Sequence, residues 1–235
     1  MIKLSRTKID LFIECPRCFY LSMKLNVNRP KGYPFNLNSA VDHLLKKEFD
    51  LHRALGTKHP IQQKFELDAI PSNHPLIDSW RDSLHHGVIF KDLDRGFHIF
   101  GGIDDLWINS HGEYHVVDYK ATAQNKPVTE LADWMTGYKR QMEIYQWLLR
   151  KNGLPVSDTA YFLYCTGNRN EDEFNDQINF HSHIIPYIGN DGWVDQTIED
   201  IFQCLQSDDV PREKDNCEYC NYALSYGNIF PEITR

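Results

Sequence analysis

FGGIDDLWINSHGEYHVVDYKAT, Phe100 to Thr122, sets four carboxylates, a lysine and a glycine pair inside what otherwise reads as two apolar strands. Strand interiors avoid such residues unless something needs them. Ser110, His111 and Gly112 suit a three-residue hairpin loop, whose third residue is left-handed and most often glycine. Asn109 then faces Glu113, so opposed residue numbers sum to 222 and Asp104 falls opposite Asp118. A two-residue His-Gly turn would move the sum to 223 and put Asp105 there; the position of Gly112 favours the first register.

Side chains alternate across a strand, so Asp118 and Lys120 share one face, and Tyr119 and Asp105 take the other. Two opposed carboxylates repel unless a cation compensates them. A hard divalent ion such as Mg²⁺ takes carboxylate oxygens. A lysine one step along the same face can orient an attacking water and stabilise charge on a phosphate. Gly102, expected opposite Lys120, would leave room for that side chain or for a substrate. The competing reading is a salt bridge between Asp118 and Lys120 on a solvated strand.

Outward from the hairpin, Gly96 to Ile108 and Glu113 to Lys120 read as its strands. Leu131 to Lys151 carries apolar residues at helical spacing and stops before Gly153. TAYFLYCT and INFHSHIIPYI read as strands, and WVDQTIEDIFQCLQSD as a helix. Ser5 to Leu25 predicts two short helices or one kinked at Pro16, with Ser5 as N-cap. NRPKGYPFNLN reads as a loop, and Ser39 with Asp42 as a capping box opening a helix that Gly56 ends. This order predicts an α/β (α+β) fold with a central mixed sheet flanked by helices.

The chain of 235 residues carries a net charge of -8, which argues against a polyanion binder driven by global charge. Any nucleic-acid contact needs a local patch, such as the seven Lys and Arg within residues 1–31. Lys139 and Arg140 could also track a backbone electrostatically. The basic N-terminus is a poor signal peptide, because Asp10 and Glu14 interrupt its apolar run. No apolar run approaches the ~18 residues that span a bilayer. A cytoplasmic location, where thiols stay reduced, is the expectation. Cys15-Pro-Arg-Cys18 and Cys217-Glu-Tyr-Cys220 then read as one four-thiolate site for zinc or an iron–sulfur cluster. Cys165 and Cys204 read as core thiols.

Gly101-Gly102-Ile103-Asp104, the hairpin and Asp118-Tyr119-Lys120 resemble the core of the PD-(D/E)XK nuclease superfamily, in its RecB and Cas4-like (AddB-like) branch. The resemblance runs from about Ser5 to Tyr222 and implies one restriction-endonuclease-like domain over residues 1–235. Its N-terminal helical segment, 1–60, and its cysteine-containing tail, 205–235, would pack together. It favours Asp104 over Asp105 as the ligand. It implies Asp104, Asp118, the Tyr119 carbonyl and His43 around Mg²⁺ or Mn²⁺, with Lys120 as the catalytic lysine. Gln141 and Tyr145 fill the branch's Gln-x-x-x-Tyr element and would support the lysine or contact a phosphate. The branch joins its termini with a [4Fe-4S] cluster, usually through one N-terminal and three C-terminal cysteines. This chain departs from that with two and two, which leaves zinc as the alternative.

The implied activity is metal-dependent DNA hydrolysis, as an exonuclease on single strands or ends, in repair, recombination or CRISPR adaptation. No helicase motif is present, so unwinding would come from a helicase or another partner. The alternatives are a non-catalytic DNA-binding or scaffold subunit with a structural cysteine site, and a cysteine-based redox protein.

Overall fold

A computed structural model describes residues 1–32 and 36–229. Its strands are β1 (Ile2–Ser5), β2 (Ile70–Pro71), β3 (Val88–Asp92), β4 (Phe97–Gly101), β5 (Asp105–Ile108), β6 (Tyr114–Gln124), β7 (Thr159–Asn168) and β8 (Phe180–Ile188). Its helices are α1 (Arg6–Glu14), α2 (Pro16–Lys24), α3 (Asn36–Leu55), α4 (Pro60–Lys64), α5 (Ile77–Arg81), α6 (Thr136–Lys151), α7 (Val194–Gln206) and α8 (Glu218–Ile229). Among the described residues no helix is long and apolar enough to cross a membrane.

The strands form two sheets, in the orders β2-β5-β6-β7-β8 and β1-β4-β3. In the larger one β6 and β7 run parallel and the other pairs antiparallel, so the sheet is mixed as expected. Adjacent parallel strands need a crossover, and α6 supplies it. One face of this sheet, with Val116, Phe162 and Ile185, packs against Ile144 and Leu148 of α6. The other, with Val117, Tyr119 and Leu163, packs with Phe49 of α3.

The hairpin has the expected register. Asp105 pairs with Val117 and Ile108 with Tyr114, so the sum is 222. Gly112 has φ +82°, and Asn109 Oδ1 accepts the backbone N–H groups of His111 and Glu113.

The strand expected over Gly96 to Ile108 is instead two strands. The chain leaves the small sheet at Gly101, runs unpaired through Gly102 to Asp104, and enters the large sheet at Asp105. Gly102 therefore does not lie opposite Lys120. A Cβ there would stand 2.4 Å from Ser83 Cβ, so its hydrogen permits close packing against the chain after α5. Gly101 makes the same allowance for Tyr145, whose Cε1 would be 2.7 Å from an added Cβ.

Three other expectations need correction. Helix α3 starts at Asn36, so Ser39 and Asp42 lie inside it and form no capping box. The loop expected over 28–38 holds for residues 28–32, while residues 33–35 lie outside the described residues. The long helix begins at Thr136 rather than Leu131.

At the N-terminus the expected break holds. Ser5 Oγ caps α1 at Lys8 N, Cys15 adopts an extended conformation, and Pro16 opens α2 where its missing N–H costs nothing. The C-terminal segment folds back on these helices. Arg17 Nε donates to Pro211 O, Lys24 Nζ to Ser207 O, and Lys214 Nζ to Ile13 O. Residues 230–235 of the tail lie outside the described residues.

Candidate active site

The break between β4 and β5 makes the site, because it frees Asp104 from strand pairing just before the register locks. Asp104 Oδ2 accepts the backbone N–H of Tyr119 at 3.0 Å, which ties it to β6 between Asp118 and Lys120. Asp118 is buried, and its Oδ1 accepts from Gln141 Nε2 at 2.8 Å. Its Oδ2 forms an ion pair with the Lys120 ammonium and, among the described residues, has no hydrogen-bond partner beyond it. Burial, with the nearby charge of Asp104, pushes the Asp118 carboxyl up to about 7 despite Lys120. Burial works against the Lys120 ammonium, but Asp118 and Asp104 outweigh it and raise its pKa. The Tyr138 ring lies 4.6 Å from Lys120 Nζ, a further cation–π support.

Helix α6 brings the remaining polar groups in from one side. Gln141 and Tyr145 are one turn apart, and Gln141 Nε2 also donates to Tyr145 Oη at 3.2 Å. Thus Asp104, Asp118, Lys120, Gln141 and Tyr145 converge. Arg140 points elsewhere: its guanidinium is paired with Asp10, tying α6 to α1. Lys139 is half-buried on the same helix.

Helix α3 closes the other side, held to β6 by Asn38 Nδ2 donating to Ala121 O at 2.8 Å. His43 of this helix is exposed, while its neighbour Asp42 and Lys46, one turn on, are half-buried. Lys46 Nζ lies 2.9 Å from Asp42 Oδ2 and 3.4 Å from Asp104 Oδ1, bridging the two carboxylates. Burial, then the charge of Asp104, raises the Asp42 pKa, and among the described residues its Oδ1 is buried without a hydrogen-bond partner. The sequence signal for this pair was its i,i+4 spacing with Lys46, obscured by reading Asp42 as a cap.

A cleft of about 320 Å³ opens beside Asp104, lined by Ser5, Arg6, Thr7, Gln141 and Tyr145 among others. Arg6, noted in the sequence only as part of a basic stretch, is thereby a wall of the site. A larger, mainly apolar cleft of about 650 Å³ lies beside the cysteines, between Leu21, Val27, Tyr219 and Leu224. Size does not mark the chemistry here, since Asp104 lines the smaller cleft.

Asp105, one residue on, has a different surrounding. It is wholly buried on the α3 face, paired with Arg53 and Arg81, and accepts from Tyr119 Oη, Trp107 Nε1 and its neighbour Leu106 N.

The sequence model of the PD-(D/E)XK nuclease superfamily matches residues 36–224, which include Asp42, Lys46, Asp104, Asp118, Lys120, Gln141 and Tyr145 but not Ser5, Arg6 or Thr7. The chain belongs to the PD-(D/E)XK nuclease superfamily. No curated protein sequence matches it significantly. Membership supports a nuclease function, with DNA as substrate and a divalent metal as cofactor. The donor set has the chemistry of such a site. Asp104 lies within electrostatic reach of Asp42 and Asp118, and among the described residues Asp42 Oδ1 is buried without a hydrogen-bond partner. Buried carboxylates are costly unless a cation compensates them, and here Lys46 and Lys120 supply that charge.

The second ligand cluster of the PD-(D/E)XK chain is far from this one in sequence. Cys15, Cys18, Cys217 and Cys220 are all buried, with ligand atoms within 4.8 Å of one another. No disulfide joins them. The pairs 15–18 and 217–220 therefore meet as the sequence predicts, in a site able to hold a metal or cluster. Cys165 is buried in β7 beside Ser182, and Cys204 is partly buried in α7.

Proposed function

We propose that this PD-(D/E)XK chain hydrolyses phosphodiester bonds in DNA, acting as an exonuclease on single strands or strand ends. The observation that carries the reading is Asp118, a buried carboxylate ion-paired with Lys120 on the same strand face, accepting from Gln141 and within the field of Asp104. The cleft of about 320 Å³ lined by Asp104, Gln141 and Tyr145, with Arg6 in its wall, would take the strand.

In this proposal Asp104, Asp118 and the Tyr119 carbonyl hold the divalent ion. The α3 contribution comes from Asp42, which shares the Lys46 ammonium with Asp104, in place of the neighbouring His43 expected from the resemblance. A bound Mg²⁺ or Mn²⁺ would supply Lewis acidity at the phosphoryl group. Lys120 orients the attacking water and stabilises the charge that develops on the phosphate. Gln141 fixes Asp118, and Tyr145 extends that hydrogen-bond chain to the cleft. Arg6 and Lys139 hold flanking phosphates. A duplex substrate would need a helicase or similar partner, and repair, recombination and CRISPR adaptation all provide such ends.

The test is digestion of labelled single-stranded DNA with Mg²⁺ or Mn²⁺. Lys120→Ala is expected to lower the rate by about 10²–10³-fold, the range seen when one electrostatic stabiliser is removed. Wild-type and Lys120→Ala chains that retain DNA equally without cleaving it would favour the scaffold reading instead. Asp42→Ala beside His43→Ala assigns the α3 contribution: only the first should abolish cleavage.

A further inference from the structure

The spacing of the four cysteine sulfurs identifies what they hold. Cys18 Sγ lies 3.6 Å from Cys217 Sγ and 3.6 Å from Cys220 Sγ, and Cys15 Sγ lies 3.8 Å from Cys220 Sγ. These distances are far beyond the disulfide length of about 2.05 Å. A tetrahedral zinc ion with Zn–S bonds of about 2.3 Å places its sulfurs about 3.8 Å apart, from the edge of a regular tetrahedron. A [4Fe-4S] cubane attaches each thiolate to its own iron, at a separate corner, which spreads the sulfurs to about 6 Å. No pair here exceeds 4.8 Å. A [2Fe-2S] rhomb divides its thiolates into two close pairs on separate irons, and is excluded by Cys18 being equally close to Cys217 and Cys220.

We infer that the two C-x-x-C pairs form a mononuclear, structural zinc site, not the iron–sulfur cluster that the resemblance implied. Neither the site nor its assignment depends on the nuclease reading. Four thiolates on one divalent ion leave a net charge of about −2, which burial makes costly. The chain compensates it. Cys15 immediately precedes α2 and Cys217 immediately precedes α8, so each pair spans the positive end of a helix. Arg29 supplies a full charge, with Nη2 3.7 Å from Cys217 Sγ. It is fixed there by Glu14 and by the Tyr219 ring, whose centroid is 4.5 Å from its Cζ. Zinc stands above Fe²⁺ in the affinity order of divalent ions, which favours it at a closed tetrahedral thiolate site.

The site has a structural consequence. It joins residues about 200 positions apart and fixes the break between α1 and α2. Helix α1 begins at Arg6, so the ion buttresses the wall of the cleft beside Asp104.

Elemental and acid-labile sulfide analysis of the full chain, purified anaerobically from cells supplied with both iron and zinc, tests the assignment. The expected result is about one zinc per chain, no labile sulfide and no visible absorption. Replacement by Co²⁺ should give the intense visible bands of a tetrahedral thiolate site. Arg29→Gln should retain the zinc but lose it to a chelator about 10-fold faster, as an outer-sphere partner does. About four irons and four sulfides per chain with a brown colour would overturn the proposal. So would a single iron without sulfide, or a metal-free chain that fails to take up Co²⁺.

Discussion

Asp105 and Asp118 are both buried carboxylates, yet their surroundings assign them opposite work. Two arginines and three hydrogen-bond donors satisfy Asp105. Asp118 has Gln141 and the Lys120 ammonium, with one oxygen otherwise unpartnered. Asp105→Asn leaves Arg53 and Arg81 underpaired, and should cost about 3–5 kcal/mol in denaturant titration. Asp118→Asn should abolish cleavage while costing far less. Its pH dependence gives a second check. The Asp118 carboxyl, raised to about 7, binds its proton more tightly folded than unfolded. That contribution is full below the unfolded carboxylate value of about 4 and is lost as pH rises through about 7. Chelator-treated wild type should therefore lose stability across that interval by more than Asp118→Asn does. Equal slopes for the two proteins would refute the assignment. That Asp105 and Asp118 lie on opposite faces was readable from sequence, because the Ser110-His111-Gly112 turn sets the register through local chemistry alone. The meeting of Asp42 and Lys46 with Asp104 was not, since it depends on how α3 packs across β6, which no local pattern announces.

Strands β4 and β5 show where local reading stops. FHIFGGIDDLWI alternates well enough to pass for one strand, and nothing in it signals that its halves join different sheets. The change of sheet depends on Ser83 and Tyr145, 19 residues before Gly102 and 44 after Gly101, closing on the two glycines. Gly102→Ala tests this. Its Cβ would meet Ser83 Cβ at 2.4 Å and Ser83 Cα at 2.9 Å, and the latter is backbone that a rotamer change cannot move. The substitution should destabilise by about 1–3 kcal/mol, as overpacking does, and shift Asp104 against Tyr119 N. A fall in cleavage exceeding what the unfolded fraction explains, measured beside thermal denaturation, is the expected outcome. Unchanged stability and activity would mean that the break does not depend on glycine. Helices α1, α2 and α6, by contrast, were recoverable from caps, Pro16 and apolar spacing, each a property of a few neighbouring residues.

The assembled chain joins two sheets, an acidic centre and a thiolate site that pins both ends, and its net charge of -8 limits how DNA can bind. Asp42, Asp104 and Asp118 repel phosphate, Arg140 is engaged by Asp10, and Lys46 and Lys120 are paired with the acids. Arg6 and Lys139 are the basic groups we assign to flanking phosphates. Few phosphates are then neutralised, so the affinity should depend only weakly on salt. For about two contacts to a single strand, log K should fall with log salt at a slope of about −1.4. Using the Lys120→Ala chain to prevent cleavage, Arg6→Gln should reduce that slope by about 0.7, one contact's worth. Binding should also need the divalent ion, which offsets the repulsion of three carboxylates before any phosphate approaches. Fluorescence anisotropy across a salt series, with and without Mg²⁺, measures both effects. A steep slope indifferent to Arg6 and to Mg²⁺ would move the DNA to another surface, because a patch outside the acidic cleft would share neither dependence.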